Sequence, residues 1–249
     1  MKLLKYSLPA LLLGSLLTGG CKSDEKSGEL TPAAREHAAF RASLRDSMNL
    51  YNSSAASLKS ETDTLQKEFE ALYSRLEVDD RKEYVEIYRV AKGWKNYDTM
   101  SGTGLLARIL ENGNVEVIAS SDKGSFSSIE LSSEGDRFIT EKVPESAGFN
   151  YTVGNQSRVT FSGNEALAIC NFALSHKNSA IQVIFRGAKS NTISLTNAQI
   201  EMLALIAETV GIKEKLDKTQ AEYMKAFNKY NLYLEEVRKD SLKASETVK

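Results

Sequence analysis

The sequence predicts an α+β protein. Two long helices near the chain ends pair antiparallel as a two-helix coiled-coil stalk, and a mostly antiparallel β head carrying one short helix is inserted between them. Three observations predict this. The first is a heptad seam. Leu44, Tyr51, Leu58, Leu65 and Leu72 occupy d positions, while Met48, Ala55, Thr62, Phe69 and Leu76 occupy a positions, in steps of four and three without a slip. The second is a matching C-terminal pattern, with Leu216, Tyr223, Tyr230 and Val237 at d and Phe227 and Leu234 at a. The third is the stretch between them, where periodicity changes from 3.5 to 2 and turn residues recur.

At the N-terminus, Lys2 and Lys5 precede a short apolar run through Leu11, Leu12, Leu13, Leu16 and Leu17. Small residues Thr18, Gly19 and Gly20 then lead to Cys21. This has the layout of a secretory signal over residues 1–20, too short for a stable spanning helix. The Leu-Thr-Gly-Gly-Cys ending resembles the bacterial lipobox, with Thr18 where that family prefers Leu. The resemblance implies cleavage before Cys21, a lipid on its sulfur and acylation of the new N-terminus. Lys22-Ser23-Asp24-Glu25-Lys26 is similar to the surface-export tag of Bacteroidota lipoproteins. It implies an outer-membrane, lipid-anchored, surface-exposed protein, with a periplasm-facing location as the alternative. Residues 21–30 read as a flexible tether.

Thr31 followed by Pro32 is a helix start: a hydroxyl N-cap, then proline at the first helical position. Nothing breaks a helix over residues 31–78, a rod of roughly 70 Å at 1.5 Å per residue. A seam this narrow needs a partner helix. Thr196 with Gln199 is a capping box, and Leu195 with Ile200 a hydrophobic staple, so the second stalk helix is expected over residues 196–243. Its upper part is denser in apolar residues (Ile200, Leu203, Leu205, Ile206, Val210) and is expected to pack on the head as well. Residues 244–249 read as a polar, disordered tail. Because the two helices flank one continuous segment, an antiparallel pair within one chain is the simplest arrangement. One register sets Ala55 opposite Tyr223 and Tyr51 opposite Phe227, with Tyr233 off the seam. Whether the seam closes within one chain or makes an oligomer stays open at this point.

The head is expected over residues 79–195. Strand candidates are 84–90, 105–110, 115–119, 127–131, 137–143, 158–161 and 181–185. Glu111-Asn112-Gly113-Asn114 is a hairpin turn, and Asp122-Lys123-Gly124 and Ser133-Glu134-Gly135-Asp136 are the next turns. Ser162 with Glu165 is a second capping box, opening a helix to about His176.

Charge and residue counts narrow the function. Lys and Arg number 32 against 33 Asp and Glu, which argues against a nucleic-acid partner. Two Cys and two His leave little for a metal site, and no motif calls for a cofactor. His37 and His176 are expected at the surface. Cys170, among apolar neighbours, is expected to be a buried structural thiol. Ser120-Ser121-Asp122-Lys123 matches a bare Ser-x-x-Lys pattern but lacks its companion motifs. Gly102-Thr103-Gly104 reads as a flexible connection rather than a phosphate loop.

The candidate partner-binding residues are Trp94, Asn96 and Tyr97, in a loop that opens on Gly93. Aromatics on such a loop stack on sugars or anchor proteins. The competing reading has Trp94 plugging the head core. The expected function is non-enzymatic: a membrane-anchored envelope lipoprotein that displays its head for a protein or glycan partner. The alternative is an envelope enzyme, or the accessory subunit of one, with a site on head loops.

Overall fold

The structure, a computed structural model, describes residues 31–79, 87–95, 102–145 and 148–246, with residues 244–246 by backbone alone. It is α+β. The elements in chain order are helix α1 (Pro32–Tyr73), strands β1 (Leu76–Asp79), β2 (Tyr88–Ala91), β3 (Gly104–Leu110), β4 (Val115–Ser121), β5 (Phe126–Ser133), β6 (Asp136–Ile139), β7 (Asn150–Val153) and β8 (Gln156–Ser162), helix α2 (Gly163–Ser175), strands β9 (Gln182–Gly187) and β10 (Asn191–Ser194), and helix α3 (Asn197–Glu246). Every strand pairing is antiparallel, in two sheets ordered β1-β2-β3-β4-β8-β7 and β10-β9-β5-β6.

The chain divides into two compact units. One is Glu61–Thr219, and the other joins the described residues up to Ser60 with the described residues from Gln220 on. The first of these units takes in parts of both long helices. Its core includes Ile200, Leu203, Leu205 and Ile206 of α3, with Leu72 and Tyr73 of α1 packed against it. Both sheets and α2 contribute to that one core: Val117 and Ala119 of β4, Ile129 and Leu131 of β5, Val183 and Phe185 of β9, and Ile169 and Cys170 of α2. Alternation explains the sheet faces. Along β5, Ile129 and Leu131 point into the core, and Ser128 and Glu130 point to the opposite face, opposite Arg186 and Ile184 of β9.

Local signals place many of the boundaries. Thr31 caps α1, its hydroxyl accepting the Ala34 N–H at 3.3 Å. At the start of α3 the capping box closes in both directions: Gln199 N–H donates to the Thr196 hydroxyl at 3.2 Å, and Thr196 N–H donates to the Gln199 side chain at 3.1 Å. Leu195 and Ile200 are both buried beside it. The β5–β6 turn has Glu134 and Gly135 at φ +50° and +94°, a pair of left-handed residues that matches the twist of a two-residue hairpin.

Other expectations are corrected. The first helix ends at Tyr73 rather than near residue 78, and Leu76 pairs with Ala91 in a sheet. Leu76 continues the heptad spacing, yet its side chain belongs to the head core. Strands β1, β7 and β10 were not expected. The Ser162 side chain makes no cap on α2. Gly163 enters the helix at φ +61°, and the Glu165 carboxylate accepts the Glu141 backbone N–H instead.

In the second unit, side chains of α1 and α3 meet at a few places. Ala55, Tyr223 and Ala226 form a small buried cluster with Leu58 and Phe227 packed on it. Tyr51 stacks on Tyr233 with ring centroids 5.6 Å apart, and Lys229 donates to the Tyr51 hydroxyl at 3.3 Å. Tyr233, expected off the seam, thus contacts Tyr51 of α1. Near the ends, Asp240 lies 2.8 Å from the His37 ring nitrogen Nε2 and is also bonded by Arg41. The His37 hydrogen bond, then Arg41, hold the Asp240 carboxyl below its ordinary range.

Candidate functional site

Of the residues expected to bind a partner, Trp94 lies in the turn after β2, while Cys21, Asn96 and Tyr97 lie outside the described residues. Trp94 is half-buried and packs against the head core. Its turn is pinned: Trp94 N–H donates to Ala91 O at 3.0 Å, Lys92 N–H to Arg75 O at 2.9 Å, and Gly93 N–H to the Glu77 carboxylate at 2.7 Å. Gly93 sits at φ +88°, in the left-handed region. Trp94 is thus partly buried against the core and partly open.

The chemistry-bearing patterns do not assemble. Ser120 is buried, and its hydroxyl donates to Gly102 O at 3.0 Å, while Lys123 is exposed beside Asp122. The Gly102-Thr103-Gly104 segment is not a free connection. The Thr103 hydroxyl donates to the Asp122 carboxylate at 2.6 Å, and the Gln156 amide donates to Gly102 O at 2.8 Å. That hydroxyl is the main cause holding the Asp122 carboxyl below its ordinary value. Cys170 is fully buried, and burial pushes its thiol far up, so it is a protonated core residue and a poor nucleophile. His176, expected at the surface, has a side chain only 10% exposed. It packs on the Phe172 ring at 4.6 Å and lies 3.3 Å from Asp136.

The surface with the geometry of a binding site is the β7 edge. Among the described residues, β7 ends the six-stranded sheet and pairs only with β8, so one row of its backbone N–H and C=O groups has no described strand beside it. Its side chains sort by face. Asn150 points inward, is almost fully buried, and donates from its amide to Val143 O at 2.7 Å and Phe126 O at 3.2 Å. These bonds tie the strand to the core. Phe149, Tyr151 and Val153 are 56%, 39% and 64% exposed and stand at alternate positions, which puts them on one side of the strand. The Tyr151 hydroxyl accepts from Arg158 at 3.0 Å, which orients its ring.

Edges of this kind are usually blunted by lysine, proline or inward charge, and β7 carries none of these. A row of apolar side chains beside open backbone groups matches an added strand, with main-chain bonds giving affinity and alternate side chains giving specificity. Searches against protein-family models, curated proteins and solved structures find no match to the chain.

Proposed function

We propose that this chain is a non-enzymatic, membrane-anchored envelope lipoprotein whose head binds a partner. Lipidated Cys21 would hold it in the outer membrane, facing outward. The observation that carries the reading is the Phe149-Tyr151-Val153 row on the unpaired edge of β7. It favours a protein partner over a glycan, because an extended segment satisfies the edge backbone as well as the side chains. Photo-crosslinking in cells from a probe at position 151 tests it. The expected result is capture of one defined protein, reduced at least tenfold when Val153 is changed to Lys. Capture of nothing above background from positions 149, 151 and 153 would overturn the β7 reading.

The two long helices are proposed to pair as an antiparallel coiled coil within one chain. The Tyr51–Tyr233 stack and the Ala55–Tyr223–Ala226 cluster support this pairing. Ala55→Cys with Tyr223→Cys, in a chain whose Cys170 is changed to Ala, should oxidise to a bridge within a single monomer. Bridges that form only between chains would make the seam an oligomer interface instead.

A further inference from the structure

The face of the four-stranded sheet opposite the core carries a cleft of about 620 Å³. Its floor is Glu130 of β5, whose side chain is only 5% exposed. Two guanidinium groups hold that carboxylate from neighbouring strands. Arg137 of β6 bonds one oxygen through its Nε, and Arg186 of β9 donates from Nε to the other at 2.8 Å and adds a second bond from Nη2. Arg137, then Arg186, keep the Glu130 carboxyl below its ordinary range despite its burial. Glu130 is therefore held in its charged form by the two guanidinium groups.

The charges in this cleft do not balance. Lys142 also lines it and makes no ion pair among the described residues. That sets three cations against one carboxylate. Elsewhere in the head, Arg108 bonds Glu116 at 2.6 Å, both largely buried, with the Arg108 guanidinium over the Tyr88 ring. In the cleft, Arg137 and Arg186 are 54% and 41% exposed, and the Arg137 Nη groups and Arg186 Nη1 have no hydrogen-bond partner among the described residues. Ser127, Ser128 and Ser190 add hydroxyls to the lining. Planar guanidinium forks with spare N–H groups, a lysine and serine hydroxyls match the oxygens of a compact oxyanion.

We propose that this cleft binds a small ligand through a phosphate, sulfate or carboxylate group. Glu130 is the buried counter-charge that orients Arg137 and Arg186, and Lys142 with the spare guanidinium N–H groups donates to the ligand. The cleft shares no lining residue with the Phe149-Tyr151-Val153 row, so either proposal can fail alone.

The test is titration calorimetry on the full chain with sodium phosphate, sodium sulfate and sodium glucuronate, each against chloride at matched ionic strength so that screening is constant. One-to-one saturable binding of at least one of the three is expected, and the probe that binds names the oxyanion. Lys142→Ala and Arg137→Ala should each weaken it about tenfold. Lys142 pairs with no carboxylate among the described residues, so its removal leaves the Glu130 cluster intact and serves as the variant that does not disturb folding. Glu130→Gln should tighten binding several-fold by removing the competing charge. No saturable binding of any probe, or binding unchanged by Lys142→Ala, would overturn the proposal. Loss of binding in a folded Glu130→Gln chain would equally sink the assigned role of Glu130.

Discussion

Gly187→Ala lowers the stability of the head by about 3 kcal/mol, at the upper end of what overpacking costs. A Cβ placed at Gly187 lies 2.0 Å from Ser125 O, 2.8 Å from Phe126 Cα and 2.9 Å from Ser125 C. All three atoms are backbone, so no side-chain rotation relieves the clash. The close approach has a cause in the pairing. Between Phe126 and Ser128 the β5–β9 register shifts, with Phe126 opposite Gly187 and Ser128 opposite Arg186. An extra residue in β5 bends that strand and brings its first turn of backbone over β9. Only a residue without a Cβ fits beneath it. The nearest core contact, Phe185 edge-on to Phe126 at 5.0 Å, would be forced apart by any shift that made room. Gly211→Ala is the opposite case. Gly211 is inside α3, and a Cβ there meets nothing within 4 Å, so alanine should raise stability by up to about 1 kcal/mol. Urea unfolding followed by Trp94 fluorescence reads both variants. Equal midpoints for Gly187→Ala and the parent chain would show that the bulge relaxes at no cost.

The features that were legible in the sequence are those written in a few adjacent residues. Thr31-Pro32 starts α1 and Thr196 with Gln199 starts α3, because a cap is made within one turn of chain. Asn112-Gly113 and Glu134-Gly135 close their hairpins for the same reason: left-handed φ is a local demand. The end of α1 was not legible. Leu76 fits the heptad as well as Leu72 does, and only its pairing with Ala91, fifteen residues on, makes it a strand residue. Ser162 and Glu165 have capping-box spacing, but the distant Glu141 N–H takes the carboxylate. Tertiary partners decide such cases.

The sites divide in the same way. Trp94 drew notice as the lone tryptophan, yet backbone bonds to Arg75, Ala91 and Glu77 fold its turn onto the core. The β7 strand left a readable trace in Phe149-Asn150-Tyr151-Thr152-Val153, an alternation closed by the turn pair Gly154-Asn155. Its exposure is a different matter, since being the last strand of a sheet is a property of the whole order. Glu130, Arg137 and Arg186 come from three strands spread over 57 residues, and no spacing rule joins them. Antiparallel pairing alone sets them side by side.

Cys21→Ala should abolish acylation completely, not partially. The chain has two cysteines, and the second cannot substitute. Cys170 is fully buried in the head core, and burial holds its thiol protonated. Acyl transfer needs a reachable thiolate or amine, and Cys170 offers neither access nor charge. The effect on location follows from the arithmetic of lipid anchors. Each buried methylene contributes about 0.8 kcal/mol, a single chain gives only reversible binding, and two or more chains hold firmly. Among the described residues no helix is long and apolar enough to cross a membrane, so the folded units hold no spanning helix to replace the lipid. Growth with an alkyne-tagged fatty acid, followed by fluorophore coupling, should label the parent chain and leave Cys21→Ala dark. Cys170→Ala should label like the parent, which separates the two sulfurs. The variant should also leave the outer-membrane fraction, although residual attachment through an uncut signal would still be dark in the labelling assay. Label retained by Cys21→Ala, or absent from the parent, would remove the lipid anchor from the proposed function and leave the β7 edge and the arginine cleft to be explained without a membrane.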